Sequence, residues 1–192
     1  MIDGRLFETE NYYLSAMDYE KDPEIDSQYS LNLRYARYWS DGFPKPLSKH
    51  EFKKKYEKIE KRVEESGRVI HFAIRTKADH LLIGFVRINV MWNHAVGWMV
   101  LAIGNQDHIE SAIRELMPLI LKFSFHELNL FRLEVDVPDF DPMLKAILEE
   151  FGFKLDGINR GVLYFDNQYW NEFLFGILKP EWQETQEEKN NA

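Results

Sequence analysis

The period of the apolar positions changes repeatedly along the 192-residue chain, and each change marks an element. Short pieces at residues 6–9 and 12–16 read as strands. An acidic stretch, 18–26, leads into residues 29–39, where Tyr29, Leu33, Ala36 and either Tyr35 or Trp39 recur at helical spacing. Two prolines and a glycine in DGFPKP, residues 41–46, impose a loop. Ser48 stands three residues before Glu51, the spacing of a capping box, in which each residue satisfies a helix-terminal N–H of the other. The helix it opens is expected to run to about Ser66, with Phe52, Tyr56, Ile59 and Val63 on one face. Lys53, Lys54, Lys58 and Lys61 are matched by Glu57, Glu60, Glu64 and Glu65, which makes the remainder a solvated face rather than a phosphate-binding patch. Gly67 ends the helix.

Three strand-like runs follow, at 69–76, 81–90 and 95–103, joined by turns at KADH (77–80) and WNH (92–94). They read as an antiparallel meander. A helix over 110–128 carries Ile113, Leu116, Met117, Ile120, Leu121 and Phe125 on a broad apolar face, and Pro118 within it should kink it or remove one backbone bond. After a strand at 132–137, Asp141 and Pro142 form a favourable N-cap and first-turn pair for a helix through Phe151, closed by Gly152. Strands at 153–159 and 169–178 flank a turn at 166–168. The polar residues 183–192 are expected as a disordered tail, and residues 1–182 as a single domain. Antiparallel strands joined to strand–helix–strand pieces predict an α+β fold, a mixed sheet with helices on both faces.

Composition narrows the chemistry. With 45% hydrophobic, 15% aromatic and 29% charged residues, the chain has ordinary globular proportions and enough length to bury a core. The absence of Cys excludes disulfides, thiolate metal ligands and Cys nucleophiles. A net charge of −8 argues against nucleic-acid binding. MIDGRLFETE has no apolar stretch behind a basic region, and the most apolar window, 90–103, is interrupted by Asn93 and His94. That window falls short of the roughly 20 residues that span a bilayer. The expectation is a cytoplasmic protein that engages neither membrane nor nucleic acid. No pair of histidines has H-x-x-x-H spacing, so no metal site is expected. His71, next to Phe72 and near Ile74 on a strand, should face solvent or a satisfied site, and His94, beside Trp92, reads first as a solvated turn residue and second as a proton acceptor near neutral pH. Tyr29, Tyr35, Tyr38, Trp39 and Phe43 read first as core and second as a ligand wall.

Several strings carry a family resemblance: LLIGFVRI at 81–88, AIG at 102–104, KFSFHELNLFRLEVDV at 122–137, FDPMLKAILEEFGF at 140–153 and ILKPEW at 177–182. Together with the order of elements, they resemble the GNAT acetyltransferase superfamily, in particular its ribosomal-protein and aminoglycoside N-acetyltransferase-like branch. The similarity covers nearly the whole chain up to Trp182. It implies a GNAT-like, mostly antiparallel twisted sheet of about six or seven strands. It also implies acetyl-CoA as cofactor and direct acetyl transfer to an amine on a small molecule or peptide; homodimers are common among similar proteins. In that family a splayed strand pair grips the pantetheine through its backbone. N–H groups at a helix N-terminus hold the pyrophosphate, and a Tyr commonly protonates the departing thiolate.

Carried onto this chain, the resemblance places Leu101, Ala102 and Ile103 on the pantetheine strand. The family's loop runs Gln or Arg, two residues, Gly, one residue, then Gly or Ala. With Glu115 setting the frame, His108 replaces the Gln or Arg, Ser111 the first Gly and Ile113 the second. A shift of one residue puts Ala112 at the last small position and Glu110 at the first glycine. A β-branched Ile permits neither close approach nor positive φ. Asp107 and Glu110 add negative charge where the helix dipole offers only about half a positive one. Leu148 stands at the Tyr position and cannot donate a proton; AVGW at 95–98 offers no carboxylate base. Asp141 replaces an Asn and reads as an N-cap beside a possible cofactor contact. The cofactor-binding candidates are therefore Leu101, Ala102, Ile103, His108, Ser111, Ala112, Ile113 and Asp141, with no catalytic residue identified. Two functions follow. One is an acyl-CoA-dependent N-acetyltransferase with an atypical pyrophosphate loop, which the balance slightly favours; the other is a GNAT-fold binding or interaction protein without catalysis.

Overall fold

The computed structural model describes residues 6–40 and 43–191. Strand β1 (Tyr12–Ser15) is met by a single bridge from Glu8 to Tyr13, which is all that remains of the strand expected at 6–9. Helix α1 (Asp22–Tyr29) forms within the acidic stretch, with Pro23 in its first turn and Asp22 and Glu24 placed to complement the N-terminal dipole. The single helix expected over 29–39 is divided. Asn32 accepts a hydrogen bond from the Arg34 N–H (2.9 Å) and starts a new short helix, α2 (Leu33–Ala36), which tightens into a 3-10 turn at Arg37–Trp39. A side-chain amide that satisfies a backbone donor locally ends one helix and caps the next. Within the expected loop at 41–46, Asp41 and Gly42 lie outside the described residues, and the rest has no regular structure.

The capping box forms as predicted: Ser48 Oγ accepts from the Glu51 N–H (3.3 Å), and Glu51 Oε2 accepts from the Ser48 N–H (2.9 Å). It opens α3 (Lys49–Ser66), which Gly67 closes at φ +56°. Strands β2 (Val69–Thr76), β3 (Leu82–Met91) and β4 (Val96–Ile103) follow, then α4 (Ile109–Lys122) after a 3-10 turn at Gln106–His108. Pro118 sits inside α4 without ending it, and the last turn widens into a π-helical turn at Phe123–Glu127. The chain finishes with β5 (Arg132–Pro138), α5 (Pro142–Glu150), β6 (Lys154–Phe165), β7 (Gln168–Leu178) and α6 (Lys179–Asn191). β6 runs past the expected end at Asn159 because register shifts at Leu155/Gly157 and Asn159/Leu163 take up the extra residues as bulges. The polar run from Gln183 lies within α6. Trp182 anchors that helix, its ring 5.3 Å from Phe125 and 4.9 Å from His126.

The fold is mixed α+β: one seven-stranded, mostly antiparallel sheet in the order β1-β2-β3-β4-β5-β7-β6, with helices on both faces. β4 and β5 are the parallel pair. The chain divides into two compact units. The first comprises Met1–Asn89 and Val100–Leu116, the second Val90–Met99 and Met117–Ala192. In the first, Tyr35, Trp39, Leu47, Phe52, Tyr56, Phe85 and Ala102 form a buried cluster in which Trp39 lies 4.6 Å from Phe85 and 5.1 Å from Phe52. In the second, Phe125, Leu133, Val137, Ile147, Leu148, Phe175 and Ile177 are fully buried. No helix among the described residues is long and apolar enough to cross a membrane.

Candidate functional site

β4 positions the first candidates. Its register with β5 covers Val96↔Arg132, Gly97↔Leu133 and Trp98↔Glu134, and the strand then runs on to Ile103. Leu101, Ala102 and Ile103 bury their side chains, so what they can offer a ligand is backbone. Gly84 of β3 explains one resemblance string: a Cβ there would stand 2.1 Å from the Ala102 carbonyl oxygen, so only glycine lets the two strands approach. Gly104 is equally constrained. Its N–H donates to the Ile83 carbonyl (2.7 Å), and a Cβ would lie 2.4 Å from the Tyr29 ring. Tyr29 in turn donates its hydroxyl to the Leu82 carbonyl (2.8 Å).

The start of α4 is tied to β1. Tyr12 Oη shares hydrogen bonds with His108 Nδ1 (3.0 Å) and Ser111 Oγ (2.8 Å), and the two rings meet edge-on at 5.8 Å. One turn on, the Asn11 backbone N–H and side-chain Nδ2 donate to the Glu115 carboxylate at 2.7 and 2.9 Å. Partial burial opposes the Glu115 charge, but these donors outweigh it and hold the carboxyl below its ordinary value. Asn105 Oδ1 accepts from the Asp107 N–H (3.1 Å) and shapes the turn that precedes the helix. Ala112 and Ile113 are buried, with Ile113 at 3% exposure. The bulk of Ile113 is thus directed into the core. Glu110 Oε1 accepts from Arg114 Nε (2.9 Å), so part of the negative charge at this helix start has its own counter-ion. The side chains of His108 and Ser111 are brought together by Tyr12, while the Asp107 and His108 N–H groups are taken up by Asn105.

Asp141 lies in the other unit. Its Oδ1 accepts from the Leu144 N–H (3.1 Å), the N-cap role expected of it. Leu148 is wholly buried, so a side chain at that position is core.

Sequence reasoning missed a buried polar cluster. Asp26 of α1 accepts hydrogen bonds from the hydroxyls of Tyr35 (2.6 Å) and Tyr56. Burial pushes its carboxyl up from 3.8 to about 7 even against those two donors, and burial beside Asp26 raises both phenols well above their ordinary range. Asp22, fully buried, accepts from Arg75 Nη2 at 2.8 and 2.7 Å and from the Asp18 N–H at 2.6 Å. The available signal was the spacing of Asp22 and Asp26, four residues apart behind a proline, but no helix was expected there. Of the aromatic group, Tyr35 and Trp39 are core, Tyr29 and Tyr38 pack against it, and Phe43 is exposed. His71 corrects its expectation outright. Both ring nitrogens are shielded from water without a hydrogen-bond partner, and the ring stacks on Phe85 at 5.1 Å. α3 packs over β2, so the strand face that alternation assigned to solvent is covered. Burial pushes the imidazole down from 6.5 to about 3. Among the described residues, no group of His, Asp and Glu is arranged to hold a metal ion.

Comparison with known proteins adds three findings. Residues 34–174 match the family model described as "Acetyltransferase (GNAT) domain". The probable N-acetyltransferase YjcK of Bacillus subtilis (strain 168) is 27% identical over 122 residues, covering 61% of this chain and 66%, just under two thirds, of that protein. Among solved structures, the spermidine N-acetyltransferase from Vibrio cholerae in complex with CoA and spermine has 22% identity and a TM-score of 0.74, covering 90% of this chain and 98% of that one. A GNAT-family acetyltransferase from Bacillus anthracis has 15% identity and a TM-score of 0.72, covering 91% and 98%. At these identities the two structures speak to fold.

Proposed function

Because the chain belongs to the GNAT acetyltransferase family, we propose that it is an acyl-CoA-dependent N-acetyltransferase acting on a small amine, with an atypical pyrophosphate loop. The observation that carries the reading is β4, which runs on to Ile103 beyond its last register partner in β5 and leads directly into the turn that opens α4. A strand edge of that kind suits the amide-bearing pantetheine arm, because both partners are extended and carry backbone-like donors and acceptors. Bound acetyl-CoA would supply the acetyl group as a thioester open to attack by a neutral amine.

Within this chain, the N–H and C=O groups of Leu101, Ala102 and Ile103 would orient the arm. The first N–H groups of α4, those up to Ser111 and Ala112, would face the pyrophosphate with the helix dipole behind them. His108, held by Tyr12 through Nδ1, would present its other nitrogen to a phosphate oxygen. With Leu148 at the family's acid position, the amine proton and the thiolate would be handled by solvent, and catalysis would rest on positioning and backbone oxyanion stabilisation. The likeness to a spermidine acetyltransferase solved with CoA and spermine supports an amine acceptor. The missing glycines and the buried Leu148 favour a second reading, a GNAT-fold protein that binds without turning over. Incubation with acetyl-CoA and a panel of spermidine, spermine, an aminoglycoside and an amino-terminal peptide separates the two. The enzyme releases CoA with at least one acceptor; no release with any acceptor, together with a melting temperature unmoved by acetyl-CoA, would overturn the first reading.

A further inference from the structure

In the first unit, a half-open cavity of about 140 Å³ is lined from α3, from β3 and from the 3-10 turn at Arg37–Trp39. Four of its lining residues are cations: Lys55, Lys58 and Arg62 of α3, and Arg87 of β3. Among the described residues of the lining there is no carboxylate. The chain as a whole carries −8, so this cleft is not part of a generally basic surface. Along the sequence of α3 glutamates are interspersed with the cations, but on this face they are not. Lys54, Lys55, Lys61 and Arg62 stand three or four residues from Lys58, so all its neighbours one helical turn away are cations, and like charges at that spacing destabilise a helix. The carboxylates one turn beyond are engaged elsewhere: Glu51 accepts from Lys45 Nζ (3.0 Å) and the Ser48 N–H (2.9 Å), and Glu65 lies 3.7 Å from Lys61 Nζ. Arg87 is held in position, with Nη2 donating to the Tyr38 carbonyl (3.4 Å) and the guanidinium 5.4 Å from the centre of the Phe85 ring.

We propose that this cavity binds the phosphate group of a small phosphorylated molecule, with the dianion between Lys55, Lys58 and Arg62 and two of its oxygens on the Arg87 guanidinium. A planar guanidinium presents paired donors that match two phosphate oxygens, and lysines supply point charges on flexible stems. Asn89, two residues beyond Arg87 and so on the same face of β3, lines the cavity with an amide able to donate to a third oxygen. The cavity is well below the roughly 300–1,000 Å³ of pockets that enclose a whole small ligand, so the phosphate enters and the body of the molecule stays outside. A dianion here turns four mutually repelling cations into a largely neutralised group, which no monoanion does as well. The lining residues belong to neither β4 nor α4, so the proposal does not depend on acetyl-CoA binding.

The test uses the full chain without any acyl-CoA, at constant ionic strength and a pH above the second phosphate pKa of about 6. Methyl phosphate, a dianion there, is titrated against methyl sulfate, which has the same shape and one charge. NMR follows the Asn89 side-chain amide and the Trp39 indole N–H, both in the lining. The expected result is a saturable shift of both with methyl phosphate, and affinity about fivefold lower for methyl sulfate. Lys58→Gln, at an exposed position, should weaken methyl phosphate about threefold, whereas Lys54→Gln, the same charge change outside the lining, should weaken it less than about 1.5-fold. Arg87→Lys, which keeps the charge and loses the fork, should cost about tenfold. Methyl phosphate should bind at least as tightly as inorganic phosphate; a strong preference for the free ion would overturn the assignment to an ester. Equal losses from Lys54→Gln and Lys58→Gln, equal binding of the two methyl esters, or no saturable shift at tens of millimolar methyl phosphate would overturn the site itself.

Discussion

Around Asp26, polar groups have been drawn into the first unit and satisfied there. Two phenols donate to its carboxylate, and Arg75 closes on Asp22 beside it. At the start of α4 the side chains are also paired, Tyr12 with His108 and Ser111, Asn11 with Glu115, Arg114 with Glu110, but Glu110 and Ser111 are exposed there, and the first N–H groups of a helix have no acceptor within it. The first arrangement consumes every polar group it contains and so builds structure. The second holds its side chains in order and leaves backbone donors to be used. The cofactor site proposed above lies at α4, away from the buried cluster in which ionisable groups are most concentrated.

Removing the cation from the closed cluster should have the largest effect. Arg75→Leu leaves the fully buried Asp22 without its counter-ion, and an uncompensated buried charge costs about 3–5 kcal/mol. Urea denaturation should place this variant that far below the parent chain; a loss under 1 kcal/mol would mean that the cluster is not what holds α1 in place. The next effect is on pH dependence. Asp26 keeps its proton to about pH 7 when folded, against an ordinary 3.8, so its contribution is full below 3.8 and is lost as pH rises through about 7. His71 acts in the opposite sense: neutral when folded down to about pH 3, against an ordinary 6.5, it contributes fully above 6.5 and less as pH falls. In the parent chain the two slopes oppose each other between about pH 4 and 6.5. His71→Phe, which keeps a ring against Phe85, should expose the Asp26 slope, with stability falling by up to about 1.4 kcal/mol per pH unit as pH rises. A flat profile in that variant would contradict the assignment. At the open region, Tyr12→Phe removes one hydroxyl shared by two partners and should cost only about 1 kcal/mol in denaturation, while changing acetyl-CoA affinity several-fold.

The sequence announced most of the fold and little of the site, for a physical reason visible at particular residues. The capping box at Ser48 and Glu51, the Asp141 and Pro142 helix start and the strand at 69–76 depend on local spacing, and each appears where expected. The family was legible from strings such as LLIGF, whose glycine the close approach of Ala102 requires. The division at Asn32 and the burial of Trp182 that extends α6 depend on partners elsewhere in the chain, which spacing does not disclose. The same holds for Asp26, whose partners Tyr35 and Tyr56 lie 9 and 30 residues away, and for His71, whose face is covered by α3. Ile113 illustrates the limit most clearly: as a letter it obstructs a phosphate loop, whereas in three dimensions its side chain points into the core. Replacing it with glycine would therefore open a cavity of the kind that costs about 2–5 kcal/mol, so Glu110, on the surface, is the better probe of the loop.

If backbone groups of β4 and α4 hold acyl-CoA as proposed, calorimetric titration of the purified chain with acetyl-CoA should show one-site binding in the micromolar range. The paired variant Glu110→Lys should strengthen it about two- to fivefold through removal of a negative charge beside the phosphates. No heat of binding at millimolar cofactor, in either protein, would contradict that proposal.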